Sequence, residues 1–211
     1  MVSPSLLAFG SQIDVLDPTY LSRIRSLLLL NPSTVPLVES IGELPQQWTS
    51  LVDSCQLLSI VPGEFLLEKL HRWVQDDRVL DFTAEVPPNT ILTPLTVICQ
   101  VVEYLTYLRV VLRQTHADVR KTVSPTKFKG LCVGMLTATA LGCAKDEAEL
   151  VAQAITAVRM AVLVGAAVDA DGRYATPPIQ LATMIARCGE GCDRLTVDSA
   201  LERYSDVRRI S

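Results

Sequence analysis

An α/β domain is predicted for this chain of 211 residues by three observations. The apolar run "SLLAFG" (5–10) ends in glycine and reads as a buried strand entering a loop. A second, very short strand candidate, "FKGLC" (128–132), leads through a glycine-flanked turn into a helix. Long stretches of helical periodicity fill the chain between and after these two segments. A chain that alternates strand, helices, strand and helix belongs to the α/β class.

The helices follow in order. In "DPTYLSRIRSLLLLN" (17–31), Asp17 can cap, Pro18 suits the first helical position, and Leu21, Ile24 and Leu28 recur on one face. "VPLVESIGELPQQWTSLVDSC" (35–55) reads as a broken helical stretch, and "GEFLLEKLHRWVQDD" (63–77) as a clearer amphipathic helix. "PPNTILTPLTVICQVVEYLTYLRVVLRQ" (87–114) opens on turn prolines and continues as a helix apolar on most faces, which marks a core helix. "THADVRKTVSPTK" (115–127) reads as a polar linker. "VGMLTATALGCA" (133–144) has the composition of a packed helix, and 145–171 opens with an acidic first turn that suits the helix dipole. From Gly172 onward turn residues become frequent, with a short helix candidate at 198–204.

Composition narrows the function classes. Hydrophobic residues make up 49% and charged residues 20%, as in a globular core rather than a disordered chain. A net charge of −4 supplies no electrostatic footprint for nucleic acid, so no nucleic-acid partner is expected. The longest apolar runs, 27–30 and 157–168, fall short of the roughly 20 residues of a membrane span, and Arg159 interrupts the second. The N-terminal stretch has no basic region before its apolar residues. No membrane association is expected, and a cytoplasmic location is.

Without a secretory signal, the six cysteines are expected as reduced thiols. Cys188 and Cys192 form the only close pair, but C-x-x-x-C with no second Cys/His pair is a poor zinc pattern. No metal is expected.

"FKGLCVGML" (128–136) carries the chemistry, because it sets Cys132 between Gly130 and Gly134 as G-x-C-x-G. Such a nucleophile sits on a strained turn between strand and helix, and the glycines permit close backbone approach. The next residue's N–H, here that of Val133, points to where a tetrahedral oxyanion would form, and the helix N-terminus favours a thiolate. The alternative is a small buried cysteine that happens to have glycine neighbours.

"LLAFGSQ", "TILTPLTVICQVVEYLTYLR", "GLCVGML", "AVRMAVLVGAAVDAD" and "LERYSDVRRIS" together resemble, in this order, a known family. It is the starter-unit acyl carrier protein transacylase domain of fungal non-reducing polyketide synthases, a relative of the malonyl-CoA:carrier-protein transacylases. The resemblance covers essentially the whole chain. It implies a helix-rich, partial acyltransferase (α/β-hydrolase-like) large subdomain over 1–168 and the start of a ferredoxin-like small subdomain over 169–211.

The resemblance also implies roles. Cys132 would accept the acyl group, and Gly130 and Gly134 would shape the elbow. Gln12 would belong to the loop that supplies a second oxyanion-hole N–H beside that of Val133, although an ordinary loop glutamine is the plain alternative. One such donor is worth about 3 kcal/mol of transition-state stabilisation. Malonyl-transferring relatives place an arginine where this chain has Val164. A valine cannot hold a carboxylate, so an uncharged acyl group is implied, with Arg159 left to a solvent-facing or structural role.

The expected reaction carries that group from acyl-CoA, through a Cys132 thioester, to the phosphopantetheine thiol of an acyl carrier protein. Ketosynthase and other synthase domains are implied as neighbours, and no permanently bound cofactor is expected. The family's catalytic histidine lies downstream of the nucleophile, and no histidine follows Cys132 here. His71 reads as a surface or helix-packing residue of an amphipathic helix, and His116 falls in the polar linker. A truncated domain, weak or inactive in turnover, is therefore expected. The alternatives are a non-catalytic module that binds acyl-CoA or a carrier protein, and an unrelated thioesterase of the α/β-hydrolase type.

Overall fold

In the computed structural model of the chain, residues 6–10, 17–76, 78–80, 87–124 and 127–172 are described. Strand β1 (Leu7–Phe9) is followed by helices α1 (Pro18–Leu30), α2 (Val35–Ser54) and α3 (Gly63–Gln75). Helix α4 (Asn89–Thr106) runs into a π-helical turn, Tyr107–Leu112, and α5 (His116–Thr122) precedes strand β2 (Phe128–Gly130). Helices α6 (Gly134–Cys143) and α7 (Glu147–Asp171) complete the described part. The two strands pair in parallel, Leu7 with Phe128 and Phe9 with Gly130. The α/β class stands, in a helix-rich form with a small two-stranded sheet.

Local chemistry explains most boundaries. The Asp17 carboxylate accepts from the Thr19 N–H at 2.9 Å, Pro18 follows, and Leu21, Ile24 and Leu28 are buried as their spacing predicts. Asp146 caps α7 by accepting from the Glu149 N–H at 2.9 Å.

Two expectations change. The stretch 35–54 is one continuous helix with Pro45 inside it, because Leu37, Ile41, Leu44 and Trp48 bury a continuous stripe. The polar linker contains α5, nucleated by a capping box. The Thr115 hydroxyl accepts from the Asp118 N–H while the Asp118 carboxylate accepts from the Thr115 N–H. The candidate helix at 198–204, Cys188 and Cys192 lie outside the described residues.

Helices α4 and α7 form the spine. Gly165 lies against the Asn89 carbonyl and the Thr93 hydroxyl, where an added Cβ would overlap both. One turn further along α7, the buried Asp169 carboxylate accepts from the N–H groups of Asn89 and Thr90, the Asn89 amide and the Thr90 hydroxyl. It satisfies the first two backbone donors of α4, while those of Ile91 and Leu92 turn to the Pro88 carbonyl. Asn89–Leu112 and Glu147–Asp171 are each long and apolar enough to cross a membrane. The two pack on each other, and most of the first is buried in the core.

An aromatic cluster supports the sheet. Tyr104 of α4 sits edge-on to Phe9 of β1 and Phe128 of β2, with ring centroids 6.4 Å apart in both cases. His116 joins it at 5.7 Å from Tyr104. This cluster and the α4–α7 spine hold the ends of β1 and β2 in place for the turn that follows.

Candidate active site

β2 ends at Gly130, α6 begins at Gly134, and Cys132 lies on the turn between them with φ of 55°. A left-handed backbone is unfavourable for any side chain other than glycine, costing roughly 1–2 kcal/mol. The turn is held by its surroundings. The Leu131 N–H donates to the Phe9 carbonyl at 2.9 Å, which extends the strand pairing one residue past β2. The N–H groups of Gly134, Met135 and Leu136 donate to the carbonyls of Leu131, Cys132 and Val133 at 2.9–3.0 Å, closing the first turn of α6.

Both glycines of the motif are sterically required. A Cβ at Gly130 would overlap the backbone of Gly134 and Met135, and one at Gly134 would overlap the carbonyls of Phe9 and Gly10. Close approach of β1, β2 and α6 at this point is what bends the chain and lifts residue 132 outward.

The Cys132 thiol is exposed, whereas the Val133 side chain behind it is buried. Val133 is the cap residue of α6, so its N–H stands at the positive end of that helix beside the thiol. Cys99 provides the contrast within one molecule: it is buried in α4, and desolvation pushes its thiol up to about 12. Of these two cysteines, only the one on the turn can meet a substrate.

The remaining candidates fall as follows. Gln12 lies outside the described residues. Val164 is exposed on α7, next to the Gly165 that packs on α4. Arg159 pairs with Glu43 of α2 at 3.1 Å on an exposed surface, a structural partner rather than a substrate ligand.

Neither histidine is offered to the thiol. His116, expected in a linker, is wholly buried. Its Nε2 lies 3.2 Å from the Ala144 carbonyl, which can only accept, so Nε2 carries the proton. Nδ1 therefore accepts from the Tyr104 hydroxyl at 2.8 Å. Burial lowers the His116 pKa below 6.5, and the neutral ring is fully engaged in structure. His71 lies on α3 beside Gly42 of α2, with Nδ1 at 3.8 Å from Glu68 of its own helix. The helix-packing reading of His71 holds.

One polar pair escaped sequence reasoning. Gln100 donates from Nε2 to the Gly10 carbonyl at 2.7 Å and accepts from the Thr137 hydroxyl of α6 at 2.6 Å. The available signal was a lone amide inside the otherwise apolar "VICQVV".

The structure thus sets an exposed thiol on a strand–turn–helix elbow, with the N-terminus of α6 beside it. Comparison with known proteins then gives the family. The starter unit:ACP transacylase family of aflatoxin biosynthesis matches residues 76–209, well over half of the chain, and the chain belongs to it. A 5-methylorsellinic acid synthase from Aspergillus terreus is 32% identical over 204 residues, covering 97% of this chain and 8% of the synthase. The non-reducing polyketide synthase pkbA of Emericella nidulans is 37% identical over 174 residues, 80% of this chain and 7% of its own length. Clavatol synthase claF of Penicillium crustosum is 33% identical over 173 residues, 81% of this chain and 6% of its own. The chain thus spans less than a tenth of each of these three relatives.

Proposed function

We propose that this chain is the acyl-accepting part of a starter-unit transacylase in polyketide biosynthesis, with Cys132 as the nucleophile. The observation that carries the proposal is the exposed Cys132 thiol at a left-handed φ of 55°, on a turn whose flanking positions accept only glycine. Strain of this kind persists where the surroundings over-determine it, and such residues cluster at functional sites.

The chemistry follows from that placement. The Cys132 thiol gives its proton to a base, and the sulfur attacks the carbonyl carbon of an acyl-CoA. The carbonyl electron pair moves onto oxygen, where the Val133 N–H at the head of α6 receives it, with a second donor from the loop that contains Gln12. Collapse re-forms the carbonyl, breaks the bond to the CoA sulfur, and leaves a Cys132 thioester and CoA thiolate, which takes up the proton. The phosphopantetheine thiol of an acyl carrier protein then repeats the sequence in reverse, freeing Cys132. Val164, where an arginine would be needed to pair with a carboxylate, suits an uncharged acyl group.

No base for Cys132 occurs among the described residues, and no histidine follows it in the sequence. Acylation of the isolated chain is accordingly slow, with efficient turnover dependent on a histidine outside these 211 residues. In this reading residues 1–168 are the large subdomain and 169–211 begin the small one. Helix α7 runs on through this boundary to Asp171.

A second reading, a module that binds acyl-CoA or a carrier protein without chemistry, is favoured by the engagement of both His116 ring nitrogens. The test is to incubate the chain with acetyl-CoA, hexanoyl-CoA and malonyl-CoA and follow intact mass. A hydroxylamine-labile adduct from the first two and little from the third supports transfer of uncharged acyl groups. Reversible binding with no adduct from any of them supports the second reading.

A further inference from the structure

Gln100 links three elements, α4, the end of β1 and α6, through its side-chain amide. It sits on α4, a helix in which 14 of 18 residues are buried, and its amide bridges the end of β1 to α6. The two bonds fix the orientation of the amide. A carbonyl can only accept, so Nε2 must face Gly10, leaving Oε1 for the Thr137 hydroxyl. Thr137 is itself fully buried, less than two turns along α6 from Cys132.

The Gly10 carbonyl is wedged on its other side by Gly134, since a Cβ there would lie 2.7 Å from the Gly10 oxygen. Two successive carbonyls of the β1 end are thus committed to the elbow. Phe9 accepts from Leu131, the residue before the thiol, and Gly10 is held by Gln100 against the helix after it. The direction of the Val133 N–H, which lies between these two anchors, depends on the angle they set between β2 and α6.

We infer that Gln100 is a positioning residue for acylation, aiming the Val133 N–H at the oxyanion site by clamping the Gly10 carbonyl to α6. It touches neither substrate nor Cys132. The inference rests on the reading of Cys132 given under Proposed function. Loss of the clamp lets the β1 end and α6 part by a fraction of an ångström. A misplacement of about 1 Å at a reacting centre costs on the order of a hundredfold in rate.

Gln100→Glu isolates the effect. The carboxylate still accepts from Thr137 but turns a second oxygen, not a donor, towards the Gly10 carbonyl. Gln100→Leu removes both bonds. Two rates are measured at Cys132 of the 211-residue chain: acyl-adduct formation from hexanoyl-CoA and alkylation by iodoacetamide. Alkylation displaces iodide at a saturated carbon, builds no oxyanion, and reports only exposure and ionisation of the thiol.

Both variants are expected to acylate about tenfold or more slowly than the parent while alkylating within about twofold of it. A parallel fall in both rates would assign Gln100 to general stability and overturn the inference, as would unchanged acylation. If Gln100→Leu fails to fold, Gln100→Glu alone decides between these outcomes. A parent chain that alkylates but takes no acyl group would refute the acyl-transfer reading itself, and the inference with it. A parent that acylates beside variants that do so equally would refute the inference alone.

Discussion

Gly134 lies against the Phe9 carbonyl with no room for a side chain, so that the helix after the elbow and the first strand touch backbone to backbone. Gly134→Ala is therefore expected to force the two apart, at a cost of about 2 kcal/mol, by analogy with overpacked cores. Urea denaturation of the variant measures this. The same substitution at Gly130 overlaps the backbone of Gly134 and Met135 and is expected to be as damaging. An exposed glycine with open space around it behaves differently, so Gly10→Ala at the end of β1, with no atom within 4 Å of its added Cβ, is the control.

The left-handed backbone at Cys132 makes a second prediction in which stability and function oppose each other. Cys132→Ala keeps a side chain at φ of 55° and keeps the strain; Cys132→Gly removes it. The glycine variant is expected to be more stable than the alanine variant by about 1 kcal/mol, even after the greater chain entropy of glycine when unfolded. Equal denaturation midpoints would mean that the turn carries no strain.

Asp169 accepts four hydrogen bonds at the start of α4 while nearly inaccessible to solvent. Asp169→Ala leaves buried N–H and hydroxyl donors without acceptors. Each hydrogen bond to a buried charge is worth about 1.5–3 kcal/mol, so a loss of at least about 3 kcal/mol is expected. Calorimetry or denaturation would show it as a large fall in midpoint, whereas removal of Arg159, exposed in its pair with Glu43, should change stability by less than about 1 kcal/mol.

His116 gives the chain a pH dependence. Its pKa in the folded protein is lowered from 6.5 by burial, with Arg120 opposing protonation and the Ala144 carbonyl, Asp146 and Glu147 favouring it. The unfolded chain thus binds the proton more readily than the folded one. Stability is full above the unfolded pKa of 6.5 and falls as pH drops below it, until the folded pKa is reached. Denaturation midpoints at pH 7.5 and 5.0 are expected to differ by more in the parent than in His116→Gln, which can still donate to Ala144 but does not titrate.

The sequence was legible where one element's chemistry is local. Asp17 and Pro18 with the Leu21, Ile24 and Leu28 stripe announced α1, and the glycines around Cys132 announced the elbow. It was less legible where the decisive partner is remote. The stretch 35–55 reads as a broken helix from its residues alone, yet the buried stripe from Leu37 to Trp48 runs straight through Pro45. His116 stands among polar residues in the sequence, yet Tyr104, Phe128 and Ala144 enclose it, and they come from three other segments. Gln100 could be noticed as an odd amide in an apolar helix, but its partners, Gly10 and Thr137, lie 90 and 37 residues away.

The most direct measurement is tandem mass spectrometry of the chain after incubation with hexanoyl-CoA, with the acylated peptide sequenced. The expected result is a single thioester on Cys132, absent in Cys132→Ala, while Cys99 remains unmodified and the exposed Cys55 and Cys143 carry no acyl group. Acyl groups spread evenly over Cys55, Cys132 and Cys143, or none on Cys132 of the folded protein, would contradict the assignment of the elbow as an acylation site.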